Sequence, residues 1–444
     1  MSTTSTSNHA LLDRPVLSIV LLSLSLRIAT SLLLVVTHFL LPPFDASAAR
    51  LSSPLNPIYQ PFVRWDTVYF LGIASEGYTQ EQRLAFTPGL PMLLRGGAQL
   101  VRWVRGGQEA TLEDMVLAGM IGTTLATMGA AVLLYKLTLE LSSSRKHSFA
   151  TALLFLLAPA RAVLHAVPYT EPFAAFFTFA GMLAFVRHRN LFAALLFAVG
   201  STFRAQGAML GLGFFGWRYI LEKPFQKSRF SMQILASGIA RTTVLSLTSA
   251  APFFAFQAYA YREFCSSPDH LRPWCSTTFG FSYGWIQSHY WDVGPFRYWT
   301  LLQLPNFLLA SPVLVLSFAA SYTYYSSQPR LVISRTLPFL PSSLLPSSST
   351  PPPILTRPFL SPSLLPFIHL HMATTLLLLI SSHVQIILRL CIPNPVVWWY
   401  VSDLLLAEGS EGEGRRRWGK RWIGYCVMWG TVATVSWALF LPPA

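Results

Sequence analysis

Arg64-Trp65-Asp66-Thr67-Val68-Tyr69-Phe70 follows the first long apolar segment and places a carboxylate among aromatic rings and a guanidinium. A carboxylate on the rim of a membrane-embedded protein can take a proton from a hydroxyl, which makes Asp66 a general-base candidate. The same residue suits a helix N-cap, accepting backbone N–H bonds at the start of an interfacial helix. Trp65 and Tyr69, one helical turn apart, would then be interfacial anchors, and Arg64 could pair with Glu76. The residues alone leave both readings of Asp66 open.

Further polar clusters interrupt the apolar runs. In Pro168-Tyr169-Thr170-Glu171-Pro172, Thr170 suits an N-cap, Pro172 a first turn, and Glu171 the positive end of the helix dipole. The functional reading has Tyr169 and Glu171 lining a site. Arg204-Ala205-Gln206-Gly207 sets a guanidinium in an apolar stretch, where it needs an anion: a lipid phosphodiester, or Glu171. The stretch 274–294 carries Trp274, Tyr283, Trp285, Gln287, Tyr290, Trp291 and Asp292, a composition that serves either an interfacial belt or the stacking of sugar rings. Pro395 with Trp398, Trp399 and Tyr400 reads similarly. No histidine has metal-ligand spacing and no GxxxxGK[ST], GxGxxG or HExxH occurs, so nucleotide-driven transport and zinc hydrolysis both lack their motif; no metal-ligating residues and no cofactor are named, and metal dependence stays open.

The elements that must hold these groups are membrane helices. The 444 residues are 52% hydrophobic and 11% charged, with mean hydropathy +0.46; soluble domains carry about 25% charged residues. The net charge of +14 sits in short clusters between apolar runs, which argues for membrane orientation and against nucleic acid. Hydropathy suggests spans at 16–41 (an uncleaved signal anchor after a cytoplasmic tail, 1–15), 115–139, 148–165, 171–186, 191–206, 208–221, 233–257, 305–325, 366–390 and 421–441. Residues 86–105, broken by prolines and punctuated by arginines, read as a lumen-facing or partly inserted helix.

The basic turns Arg145–His147, Arg187–Arg189 and Lys223–Arg229 mark the cytoplasmic side. That places 42–114, the turns near Glu171 and Arg204, 258–303 and 391–420 on the lumen, although Arg415–Arg421 is too basic for that side. The expected organisation is a catalytic membrane region 16–333, a flexible Pro/Ser linker 334–365 and a C-terminal membrane region 366–444. Cys265 and Cys275 flank a polar loop; in an oxidising lumen they could be joined as a disulfide or, as cysteines at the edge of a span, stand free. Cys391 and Cys426 read as packed thiols.

Taken together, Arg64-Trp65-Asp66, Gly77-Tyr78, Ala85–Pro91, Ala158-Pro159-Ala160, Tyr169-Thr170-Glu171 and Arg204–Gly207 form an ordered series. It continues through Pro273-Trp274-Cys275, Tyr283–Gln287, Tyr290–Gly294, Leu304–Pro312, His383-Val384-Gln385 and Pro395 with Trp399-Tyr400. The series resembles the GPI mannosyltransferase 2 family over about residues 60–440. Ala205-Gln206-Gly207 stands where the family usually has Ser-Asn-Gly, Thr87 stands where a Phe is common, and the Pro/Ser linker has no recognised equivalent.

The resemblance implies an all-α, polytopic GT-C-type bundle with a luminal active-site face in the endoplasmic reticulum. It implies dolichyl-phosphate-mannose as donor, a GPI glycolipid precursor as acceptor, an α-1,6 linkage formed with inversion, and a small accessory membrane protein. Under it Asp66 is the base, Arg64 or Arg204 meets the lipid phosphate, and Tyr169 with Glu171 orients the sugar. Trp65, Trp285, Gln287, Trp291 and Asp292 complete the expected binding surface. Two other classes are weighed against it: a secondary transporter, which would place its site between repeats near the midplane, and a non-catalytic subunit of a glycosylation complex.

Overall fold

The computed structural model describes residues 12–45, 51–225, 231–266, 272–277, 279–341, 343, 357–410 and 412–441. Among them are seventeen α-helices and no strand. The first half runs through α1 (Pro15–Leu40), α2 (Asp66–Glu76), α3 (Gly89–Arg105), α4 (Leu112–Ser142), α5 (Arg145–Leu156), α6 (Arg161–His165), α7 (Glu171–Val186), α8 (Asn190–Phe203) and α9 (Gln206–Gly216). The second half runs through α10 (Met232–Cys265), α11 (Ser282–Tyr290), α12 (Leu304–Ser327), α13 (Pro329–Thr336), α14 (Leu365–Ser381), α15 (Ile387–Leu390), α16 (Pro395–Leu405) and α17 (Gly412–Ala438).

Among the described residues five stretches are long and apolar enough to cross a membrane: Pro15–Leu40, Leu112–Ser142, Met232–Cys265, Leu301–Ser327 and Pro362–Ser381. The protein is a polytopic all-α membrane protein. The apolar run at 148–165 is not one rod: it breaks after Leu156 and restarts at Arg161. Helix α3, ambiguous in the sequence, docks on α2, where Arg95 donates to the carbonyls of Ala74 (2.7 Å) and Ser75 (3.0 Å). Those carbonyls are among the four that a helix leaves unpaired at its C-terminus.

The greatest departure from hydropathy lies between 381 and 395. The run expected as one span, 366–390, stops at Ser381, and the stretch expected as a loop, 391–420, contains the buried helix α16. The pair Val384–Leu390 and Pro395–Leu405 is apolar and bent by 74°, the geometry of a broken span or a re-entrant loop. A distant loop stops α14. The N–H groups of Gly294 and Phe296 bond the carbonyls of Ser381 (3.0 Å) and Ile380 (2.7 Å), and Trp299 Nε1 bonds that of Leu379 (2.8 Å). Asn394 then caps α16, its side-chain oxygen accepting from Val396 N at 3.2 Å.

This bent pair carries the residues after it to the pole of the basic turns. Ser402 Oγ lies 3.0 Å from His147 Nδ1, so the end of α16 reaches the same pole as the basic turn 145–147. Asp403 pairs there with Arg357 (3.1 Å) and with Arg415. The basic run that disagreed with its expected side therefore sits with the other basic turns.

Residues 342 and 344–356 of the Pro/Ser stretch, and 1–11 of the N-terminal tail, lie outside the described residues. The far end of that stretch is packed, with Phe359, Leu360 and Leu364 buried.

At the opposite pole a second small core forms from Leu84, Phe256, Ala260, Trp274 and Ile286. Glu81 is its polar hub, accepting from Trp274 Nε1 (3.2 Å) and Tyr290 OH (2.7 Å). The hydrogen bond to Glu81, and then burial, hold the Tyr290 phenol above its usual range. Cys265, at the end of α10, is disulfide-bonded to Cys275 with Cα atoms 5.7 Å apart.

Candidate active site

Four sequence-marked residues converge at this second pole on a fifth that the sequence reading missed. Asp66 Oδ2 accepts from Tyr169 OH at 2.5 Å and from Arg389 Nη1 at 3.0 Å. Arg389 Nη1 also bonds Tyr169 OH at 2.7 Å and lies 3.8 Å from Glu171 Oε1. Glu171 is paired in turn with Arg204 and accepts from Thr170 Oγ1 at 3.1 Å. The cluster thus balances two carboxylates against two guanidiniums.

Burial separates the two acids. The Asp66 side chain is 35% exposed, whereas Glu171 is 0% exposed and Arg389 14%. Glu171 is sealed behind the surface and holds the two arginines in place. Tyr169 is enclosed as well; burial pushes its phenol well above the usual range, so it remains a hydrogen-bond donor to Asp66. Among the described residues no hydrogen bond falls on Asp66 Oδ1. That oxygen is the free proton acceptor of the cluster.

The run Arg64-Trp65-Asp66 divides its labour. Arg64 turns away from the cluster: its guanidinium bonds the carbonyls of Ala438 and Val63 (both 3.2 Å), lies 3.3 Å from His38 Nδ1 and stacks over Phe440. Glu76 pairs with Arg83 and not with Arg64. Trp65 occupies φ 52, ψ −130, its ring against Phe440, a conformation that costs a non-glycine residue about 1–3 kcal/mol. That strained turn starts α2 without a side-chain cap and aims Asp66 across at Tyr169 instead of at its own helix.

Arg204 lies at the break between α8 and α9. A Cβ on Gly207 would fall 2.6 Å from Ser201 N, so glycine is what lets the two helices close around that break. Arg204 lines a small cavity with Gln206, His371 and Asn394.

The aromatic loop approaches from outside. Trp291 meets Phe86 edge-on at 6.0 Å, Phe86 stacks on Tyr69 at 4.8 Å and meets Phe70 edge-on, and Phe70 meets Tyr169 edge-on at 5.6 Å. This row of rings joins the loop to the cluster. His383 Nε2 bonds the Trp291 carbonyl at 2.6 Å. Trp285 stacks on His289 at 4.3 Å, and Gln287 accepts through its backbone from Val293. Asp292 is exposed and 3.5 Å from Arg297. These three belong to the outer unit and do not touch the Asp66 cluster. The aromatic residues of α16 are core: Trp399 Nε1 bonds Thr138 at 2.8 Å and Trp398 packs on Phe155.

Arg389 carried a signal that was available in the sequence. It is a lone cation in the apolar run around Ile387-Leu388-Arg389-Leu390, the same signature that marked Arg204. Among the described residues no group of histidines, cysteines and acids could hold a metal ion.

A polytopic helical membrane protein with a braced, half-open carboxylate on one rim is the class that fold and site define. The sequence profile of the mannosyltransferase (PIG-V) family matches residues 12–444, and the chain belongs to that family. It is 36% identical over 424 residues to the GPI mannosyltransferase 2 of Cryptococcus neoformans var. neoformans serotype D (strain JEC21 / ATCC MYA-565), covering 91% of this chain and 93% of that one. The GPI alpha-1,6-mannosyltransferase 2 of Cricetulus griseus is 33% identical over 405 residues, and that of Homo sapiens 32% over 401. Each covers 82% of this chain and 77% of its own.

Proposed function

We propose that this chain adds the second mannose, in α-1,6 linkage, to the one-mannose GPI precursor, with dolichyl-phosphate-mannose as donor, on the luminal face of the endoplasmic reticulum membrane. Family membership and the names of its relatives support the reaction. The observation that carries the mechanism is that Asp66 alone of the two clustered carboxylates reaches solvent, with its position set by Tyr169 and Arg389.

Asp66 takes the proton of the acceptor 6-hydroxyl as that oxygen attacks the anomeric carbon from the side opposite the phosphate. The new C–O bond forms as the bond from carbon to the phosphate oxygen breaks, and dolichyl phosphate leaves with the electron pair. One displacement turns the β-linked donor into an α-linked product. General-base assistance of this kind contributes about 10²–10⁴-fold. Glu171 and Arg204 do not touch substrate in this scheme; they fix Arg389, and Arg389 fixes Asp66. A transporter reading gains no support, because the cluster lies at one end of the bundle and not between halves near its middle.

The test is expression in cells conditionally lacking the second GPI mannosyltransferase, with the accumulated glycolipids identified by mass spectrometry. The expected result is loss of the one-mannose intermediate and restoration of surface GPI proteins. Persistence of that intermediate with a correctly inserted protein overturns the assignment.

A further inference from the structure

Resting on that reading, we propose that Arg161 and Arg389 together form a subsite for the phosphate of the isoprenoid-phosphate sugar donor, entered from the lipid between α6 and α17. Arg161 opens α6, and its guanidinium lies against α17. Its nearest acceptors are Thr431 Oγ1 at 3.4 Å and the carbonyls of Cys426 and Val427 at 3.5 Å, all at the outer limit of a hydrogen bond. No carboxylate pairs with it among the described residues.

A narrow cavity of about 10 Å³, which a phosphate must widen to enter, joins this guanidinium to the active-site cluster: Arg161 and Arg389 both line it, with Leu388, Trp429, Ala433 and Trp437. Trp437 meets the Tyr169 ring at 5.4 Å, so the cavity ends on the back wall of the site. Arg161 and Arg389 each have a buried Nε–H with no acceptor. Arg102, Arg218 and Arg357 also leave a buried Nε unpaired among the described residues; what sets Arg161 and Arg389 apart is that both line one cavity, where a single anion can serve the two.

The backbone makes room for it. A Cβ on Gly430 would lie 3.0 Å from Arg161 Nε and 3.2 Å from Cζ, so glycine is what allows the guanidinium to lie flat on α17. Charge points the same way: Asp66 and Glu171 stand against Arg204, Arg389 and Arg161, leaving one positive charge that a phosphodiester neutralises. Guanidinium binds phosphate oxygens two at a time, in a geometry that lysine does not reproduce. The outer face of α17 beside Arg161 exposes Val427, Met428 and Val432, an apolar track for a long hydrocarbon chain.

The donor phosphate is selected over the acceptor's by distance. It is bonded directly to the attacked carbon, so it lies across that one carbon from the base, and Arg389, whose Nη1 touches Asp66, has its Nε still unpaired to meet it. The acceptor's phosphate is several sugar rings away from the attacking hydroxyl.

The experiment measures mannose transfer by the full-length enzyme in detergent-solubilised microsomes, varying the mannosyl-phosphate isoprenoid and the glycolipid acceptor separately. Arg161→Gln should raise the donor KM at least about tenfold, the loss of one charge-assisted hydrogen bond, with the acceptor KM unchanged. Arg161→Lys should fall between, and Gly430→Ala should move the donor KM in the same direction. Sugar-free isoprenoid phosphate should inhibit the wild type competitively with donor and inhibit Arg161→Gln more weakly, while phosphatidylglycerol does neither.

An unchanged donor KM in Arg161→Gln, or a rise confined to the acceptor KM, overturns the subsite. If Arg161→Gln does not insert, Gly430→Ala and the competition data decide by the same criteria. A wild-type protein that transfers no mannose contradicts the function proposed above, and is separable from failure here because retention of isoprenoid phosphate, read by native mass spectrometry, still tests Arg161.

Discussion

Asp66 and Glu171 share one cluster through Arg389, yet their substitutions should fail in different ways. Asp66→Asn keeps an oxygen that accepts from Tyr169 and Arg389, and α2 does not use the carboxylate as a cap, so the fold should stand. An amide cannot take a proton, and turnover should drop by about 10²-fold or more at normal expression and insertion. Near-wild-type turnover removes Asp66 from the role of base. Glu171→Gln has the opposite signature. It leaves two half-buried guanidiniums facing a buried neutral group, and breaking a buried pair typically costs about 3–5 kcal/mol. Thermal unfolding of the purified variant should therefore shift down well before activity per folded molecule is lost. Asp66, Tyr169, Glu171 and Arg204 were legible because each is a polar group interrupting an apolar run, and such groups are expensive unless used. What they touch was not legible: Arg204 finds Glu171, while Arg64, beside Asp66 in sequence, serves the strained turn behind it.

Helices in this chain end where distant backbone tells them to, which is why their boundaries were the least readable part. Nothing local stops α14 at Ser381; its last carbonyls are taken by Gly294, Phe296 and Trp299, about eighty residues upstream. That termination turns Arg389 inward on the short helix α15 and so completes the site. Long apolar helices such as α1, α4 and α12 were readable from hydropathy because burial or lipid contact asks the same of every residue along them. The outer unit is held differently, through Glu81 and the Cys265–Cys275 bond across a short loop. A disulfide closing a loop of this kind contributes about 2–4 kcal/mol by restricting the unfolded chain. Replacing both cysteines by serine should speed amide exchange over 273–290 while leaving exchange in α4 and α7 unchanged. Equal exchange with and without the bond means that Glu81 and Trp274 hold the unit alone.

Seen as a whole, the molecule sorts its charges by pole. Arg145–His147 meets Ser402, Asp403 gathers Arg357 and Arg415, and Arg187 pairs with Glu140 at one end, while Asp66, Arg389 and the disulfide-bonded loop lie at the other. Basic loops are retained on the cytoplasmic side, so the Asp66 pole should face the lumen. The bent span formed by α15 and α16 decides how the C-terminal part is threaded. With it, residues 406–410 return to the cytoplasm; without it, they stay on the lumen with Asp66. The two threadings are distinguished by single cysteines and a membrane-impermeant thiol reagent on sealed microsomes. The native background is silent, because Cys391 and Cys426 are buried and Cys265 and Cys275 are bonded to each other. Ser410→Cys, in the exposed turn after α16, should label in intact vesicles, whereas Glu109→Cys, in the exposed turn between α3 and α4, should label only after detergent. Protection of both in intact vesicles sinks the extra crossing and returns 406–410 to the luminal side. Labelling of both places the Asp66 pole in the cytosol, where a luminal base has no role, and takes the proposed sidedness of the reaction with it.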